Sequence, residues 1–155
     1  DEFLRPENAA ELLSLCPGGW IDATDDLAAK RAMILIMQAE KRLKQLIVCG
    51  AAGGKTDPTR IEADDLSQTL QDPLLSTLRY DLRKHHGFPR QATMRIQTVF
   101  SRQPILRGED CDPAAKLACA GYGSLVTVTA TMGMIAANLA IQAVLHPHHE
   151  RTRRA

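Results

Sequence analysis

The chain has 155 residues, 45% of them hydrophobic, with 19 Lys and Arg against 18 Asp and Glu for a formal net charge of +1. That length suits one ordinary domain with a real core, and the balanced charge excludes the global basic signal of a dedicated nucleic-acid binder, leaving only local patches. The four cysteines, at 16, 49, 111 and 119, include no Cys-x-x-Cys pair, which argues against a paired-cysteine zinc site and for a reduced, cytoplasmic compartment.

In chain order, Asp1 to Asn8 is polar and has no apolar core of the kind a secretory signal carries. Residues 6–15 suit a short helix, with Pro6 leading, Glu7 and Glu11 near its N-terminus, and Cys16-Pro17-Gly18-Gly19 ending it. Trp20 to Ala23 reads as a short strand. Thr24 or Asp25 can then cap a helix from about residue 26 to 43, with Leu27, Met33, Ile34 and Met37 as its apolar positions. Leu46 to Cys49 reads as a second, buried strand. This strand–helix–strand order predicts an α/β unit built on a parallel sheet. Ile61 to Ala63 is a brief strand. Leu74 to His86 is a helix with Leu74, Leu75, Leu78 and Leu82 inward and Gly87 as its C-cap. Arg95 to Val99 alternates as a strand, and 104–113 reads as a loop. Residues 125–145 approach membrane-spanning length, but Thr127, Thr129, Thr131, Asn138 and Gln142 interrupt the run. It therefore reads as a buried helix of a soluble protein, not a membrane partner, with small residues at Gly133, Ala136, Ala137 and Ala140 for close packing. A main domain of 1–145 and a tail of 146–155 result, with no internal repeat.

Cys49-Gly50-Ala51-Ala52-Gly53-Gly54-Lys55-Thr56 almost spells a phosphate-binding loop. The motif needs a glycine where Cys49 stands and a helix after Thr56. Asp57-Pro58 follows instead, and proline biases the residue before it away from helix. A glycine-rich turn after a strand is the better reading. Glycines at 50, 53 and 54 serve either such a turn or the close approach of a nucleotide or RNA. Asp22 and Asp25 fall at the C-terminal end of the first strand, where open α/β sheets bind ligands. A carboxylate there can hold Mg²⁺ against substrate phosphates, or Thr24 and Asp25 can simply cap the next helix. Arg79, Arg83 and Lys84 share the outer face of the 74–86 helix, either solvated or suited to phosphate contacts with RNA. Cys119 precedes a helix, whose N-terminus would favour thiolate, but with no identifiable base the better reading is an inert buried thiol. His146, His148 and His149 could bind a metal or belong to the tail.

Beyond these local readings, Gly50-Ala51-Ala52-Gly53-Gly54-Lys55-Thr56-Asp57-Pro58-Thr59-Arg60-Ile61, with Asp65-Leu66, Thr69 and Asp72-Pro73-Leu74, resembles the signature of the tRNA threonylcarbamoyladenosine dehydratases, which are E1-like, ThiF/MoeB-related enzymes. Ile21 to Asp25 with Lys30, and Cys119 to Gly133, are similar to further elements of that family, so the resemblance covers most of 1–145. It implies a Rossmann-like, E1/ThiF-type α/β fold, a mixed sheet flanked by helices. It also implies an ATP-dependent enzyme that activates the carboxylate of the threonylcarbamoyl group on adenosine 37 of tRNA for ring closure. Asp25 would hold the Mg²⁺-nucleotide, Asp22, Lys30, Gly50, Gly53 and Gly54 would support the cofactor site, Cys119 is a catalytic candidate, and Arg79, Arg83 and Lys84 would approach tRNA. A homodimer and a sulfur-relay protein are the further partners implied. The family's N-terminal Gly-x-Gly-x-x-Gly unit has no counterpart here, so the chain reads as a C-terminal half that would not hydrolyse ATP efficiently alone. Two alternatives stand beside this: an E1-like adenylyltransferase for a ubiquitin-like sulfur carrier, and a non-catalytic dimerisation or RNA-docking module.

Overall fold

The computed structural model describes residues 3–15, 18–105 and 123–146. The elements are α1 (Ala9–Ser14), β1 (Trp20–Asp22), α2 (Leu27–Ala39), β2 (Leu46–Cys49), β3 (Ile61–Asp65), α3 (Pro73–His85), β4 (Gln97–Ser101) and α4 (Val126–Leu145). Three 3₁₀ turns, Leu43–Gln45, Pro58–Arg60 and Leu66–Gln68, join them. The strands form one sheet in the order β1-β2-β4-β3. β1, β2 and β4 run parallel, as the strand–helix–strand pattern predicts. β3 pairs antiparallel to β4, with Ile61 opposite Ser101 and Asp65 opposite Gln97, which makes the sheet mixed.

Strand alternation sorts the core into two layers. Leu46 and Val48 of β2 and Phe100 of β4 join Met33, Ile34, Met37, Leu75, Leu78 and Leu82 from α2 and α3. Ile47, Cys49 and Val99 face the other way and meet Val128, Met132, Ala136 and Leu139 of α4. All four leucines predicted to face inward from α3 are buried. Asp72 caps this helix by accepting from the Leu75 amide at 3.0 Å, Pro73 takes the first turn, where its missing N–H costs nothing, and Gly87 follows with φ 69°.

Four expectations shift. α2 stops at Ala39, four residues short, because Lys41 adopts φ 58° and the chain tightens into the 3₁₀ turn that follows. Its N-cap is Asp26, which accepts from the amides of Ala28 and Ala29, and neither Thr24 nor Asp25 has that role. β4 begins two residues later than alternation suggests. Arg95 has φ 60°, and the Ile96 amide donates to Asp65 Oδ2 at 3.1 Å, away from the strand ladder. α4 is buried along one stripe only: Val126, Met134, Ile141, Val144 and Leu145 are exposed. By length and composition it could cross a membrane, and 22% of its most apolar stretch is buried. Two of its threonines return their hydroxyls to the helix backbone, Thr131 to the Thr127 carbonyl at 2.7 Å and Thr129 to the Val126 carbonyl at 3.3 Å. They are polar in composition without requiring an outside partner.

Candidate functional site

The C-terminal ends of β1 and β2 open into a cavity of about 470 Å³. Ile21, Ala23, Thr24 and Asp25 line it from the β1 side, Cys49 and Gly50 to Gly53 from the β2 side, Leu74 from α3, and Thr129, Met132 and Gly133 from α4. Most of this lining is apolar, as in sites that hold an organic ligand by burial and orient it with few polar groups. Among the described residues, Asp25 is its one acidic side chain. Because Asp26 caps α2, Asp25 is released from that duty, and among the described residues it has no hydrogen-bond or ion-pair partner.

Asp22 and Lys30 lie beneath this floor, not in it. Asp22 Oδ1 accepts from the Thr24 amide at 3.0 Å and from its hydroxyl at 2.8 Å, while Oδ2 accepts from Lys30 Nζ at 3.0 Å. Both side chains of that pair are fully buried. Lys30 Nζ also donates to the Cys49 carbonyl at 2.8 Å, so the pair ties the end of β1 to the end of β2 through α2. Lys30 is thus neither a solvated helix lysine nor part of the cavity wall. Burial pushes the Cys49 thiol above its usual 9.0, with the Lys30 charge pulling partly against it and Asp22 adding to it.

The glycine segment is a closed turn held at several points, and Lys55 shows why it is no phosphate loop. Its ammonium is directed inward, donating to the carbonyls of Ser101 at 2.8 Å and Gln71 at 3.2 Å, with Asp72 Oδ2 at 3.9 Å. Burial pulls this lysine below its usual 10.5, partly offset by Asp72. Downstream, Gln103 Oε1 accepts from the amides of Thr56 and Asp57. Gly50 and Gly53 line the cavity. Gly54 is buried with φ 69° and donates to the Gly123 carbonyl at 3.2 Å.

On the outer face of α3, Arg79, Arg83 and Lys84 do come together, joined by Ser76, Tyr80 and Arg90 around a hollow of about 520 Å³. Arg79 is half-buried, and one of its terminal nitrogens donates to the carbonyls of Leu66 and Thr69. Burial, then the nearby Arg83 charge, lowers its pKa. Arg83 Nε donates to the Pro89 carbonyl at 3.0 Å, and the Lys84 ammonium sits 5.4 Å from the centre of the Tyr80 ring. Cys119, His148 and His149 lie outside the described residues. Among the described residues no group of three or more His, Cys, Asp or Glu could hold a metal. The sequence reading missed the anchoring roles of Lys55, Asp72 and Gln103; the Asp72-Pro73 pair at the head of an apolar helical run is the one local signal for any of them.

No family model matches the chain. It is 38% identical over 151 residues to the tRNA threonylcarbamoyladenosine dehydratase of Haemophilus influenzae, a match spanning 94% of this chain and 57% of that protein. Identity to the Escherichia coli protein of the same name is 32% over 158 residues, or 94% of this chain and 58% of that one. The solved E. coli structure, TcdA, superposes with a TM-score of 0.78 at 31% identity over 95% of this chain and 55% of TcdA. A second TcdA structure, in complex with ATP, superposes at 0.77 with 32% identity. The chain spans a little over half the length of the curated relatives it matches. Sequence and fold together make this chain a relative of the tRNA threonylcarbamoyladenosine dehydratases, aligned with just over half of their length.

Proposed function

We propose that this chain takes part in the ATP-dependent dehydration of threonylcarbamoyladenosine in tRNA, with the cavity at the ends of β1 and β2 as its share of the nucleotide and substrate site. The observation that carries this reading is Asp25, a carboxylate without a partner among the described residues, at a largely apolar cavity on the C-terminal side of parallel strands. Its relatives supply the chemistry: a dehydratase name on the sequence matches and an ATP complex among the structural ones. Asp25 fits Mg²⁺, which is usually held by one or two carboxylates plus substrate phosphates and not by an all-protein cage. Bound there, Mg²⁺ would screen phosphate charge while a carboxylate of the modified nucleoside is activated. Asp22 and Lys30 would hold the site's floor, the glycine turn would let a nucleotide approach the backbone, and the basic face of α3 would meet tRNA phosphates in the cytoplasm. The exposed apolar face of α4 suits a homodimer contact.

Calorimetric titration with Mg·ATP tests the reading. The chain should bind ATP, and Asp25→Asn should weaken binding about tenfold or more at unchanged thermal stability, as loss of a charged metal contact does. Absence of ATP binding, or equal affinity in the variant, would sink it. Arg83→Glu should in turn flatten the salt dependence of tRNA binding by about one unit of slope, the release of roughly one counterion; an unchanged slope would remove α3 from the RNA contact.

A further inference from the structure

Asp72 does not line the cavity, yet the loop that does is built around it. Its carboxylate is almost fully buried, and each oxygen has its own donor: Oδ1 accepts from the Leu75 amide at 3.0 Å, and Oδ2 from the Ala51 amide at 2.9 Å. The loop passes so close that a Cβ on Gly50 would overlap Oδ2, so only glycine fits there. From the far end of the same loop the buried Lys55 ammonium comes to 3.9 Å from Oδ2. Lys55 also donates to the carbonyl of Gln71, which has φ 56°, a left-handed conformation that non-glycine residues adopt at a cost. Both ends of the glycine loop therefore converge on one side chain, and neighbouring backbone is strained in the same place.

We infer that Asp72, with Lys55, is a positioning residue that clamps loop 50–55 into the cavity wall, so that occupancy of the cavity depends on a carboxylate lying outside it. The ligand side of this inference rests on the nucleotide reading above; the clamp itself does not. Removing Asp72 alone would strand a buried lysine, so the informative variant is the double change Asp72→Ser with Lys55→Met. Serine is as good an N-cap as aspartate, which preserves α3, but is too short to reach Ala51. Two readouts separate the clamp from the ligand. Peptide-resolved alkylation of Cys49 by iodoacetamide reports loop closure, since this thiol lines the cavity and is nearly buried. Titration with Mg·ATP reports occupancy.

The double variant should unfold cooperatively, alkylate Cys49 about tenfold faster than the parent and bind ATP about tenfold more weakly, the scale of one lost charged hydrogen bond. An unchanged Cys49 rate in the folded variant overturns the clamp, whatever ATP binding does. A faster Cys49 rate with unchanged ATP affinity overturns its control of occupancy. Faster alkylation in a protein whose parent binds no ATP leaves the clamp standing and removes the nucleotide reading instead. If the double variant does not fold, Asp72→Asn with Lys55→Met, which keeps the side-chain shape and the cap on Leu75 but can turn an NH₂ donor toward the Ala51 amide, is held to the same two readouts.

Discussion

The two sides of the cavity are made in different ways. On the strand side, the shape is fixed by directed bonds from buried side chains to backbone: Lys30 to the Cys49 carbonyl, Asp72 to the Ala51 amide, Gln103 to the amides of Thr56 and Asp57. On the α4 side no side chain among the described residues caps the helix, and the contact is apolar packing through Val128, Met132, Ala136 and Leu139. Directed bonds hold one geometry, because a donor without its acceptor in a buried place is costly. Packing specifies a stripe, and it leaves α4 with a second apolar face turned outward.

The largest way to break this contrast is on the strand side. Asp22→Ala leaves Lys30 buried without its counterion, which should cost about 3–5 kcal/mol, read as a fall in the urea midpoint. A loss below about 1 kcal/mol, the range of exposed pairs, would mean that the pair is open to water. On the α4 side the effect should depend on the face. Met132→Ala, which empties a buried site, should cost about 2–5 kcal/mol, whereas Met134→Ala, at 73% exposure, should change stability by less than about 0.5 kcal/mol. Equal costs at the two methionines would show that the outer face is covered in solution.

The same contrast explains what the sequence disclosed. α3 was legible because its leucines recur at helical spacing, although its cap at Asp72 and its start at Pro73 were not read. The strand-end position of Asp25 was legible because a short apolar strand leads directly into it. Lys30 and Lys55 were not, since a lysine in a polar context reads as solvated and its burial depends on a carboxylate brought in by the fold. Lys55 and Asp72 are separated by a 3₁₀ turn, a strand and a second 3₁₀ turn, and no periodicity links them. α4 misled in the opposite direction. Apolar composition on every side predicts full burial, but a sheet face can cover only one side of a helix. β4 starts late for a reason local pattern cannot reveal: the Asp65 carboxylate takes the amides of Met94 and Ile96 before the strand begins.

The smallest effect to seek is a pH dependence of opposite sign at the two ends of the glycine loop. Cys49 holds its proton to a higher pH in the folded chain than the 9.0 of an ordinary thiol. Above 9.0 the folded state therefore binds more protons than the unfolded one. The stabilisation is complete below 9.0 and is lost as pH rises toward the raised value. Lys55 behaves inversely. Its folded pKa lies below 10.5, so between that lowered value and 10.5 the unfolded chain binds more protons, and stability from this group rises with pH. Urea midpoints followed upward from pH 8 should fall less steeply in Cys49→Ala than in the parent, and more steeply in Lys55→Met. Three parallel curves would mean that neither group titrates differently on folding, and the loop would then lack the dry floor and dry anchor that distinguish it from the α4 side.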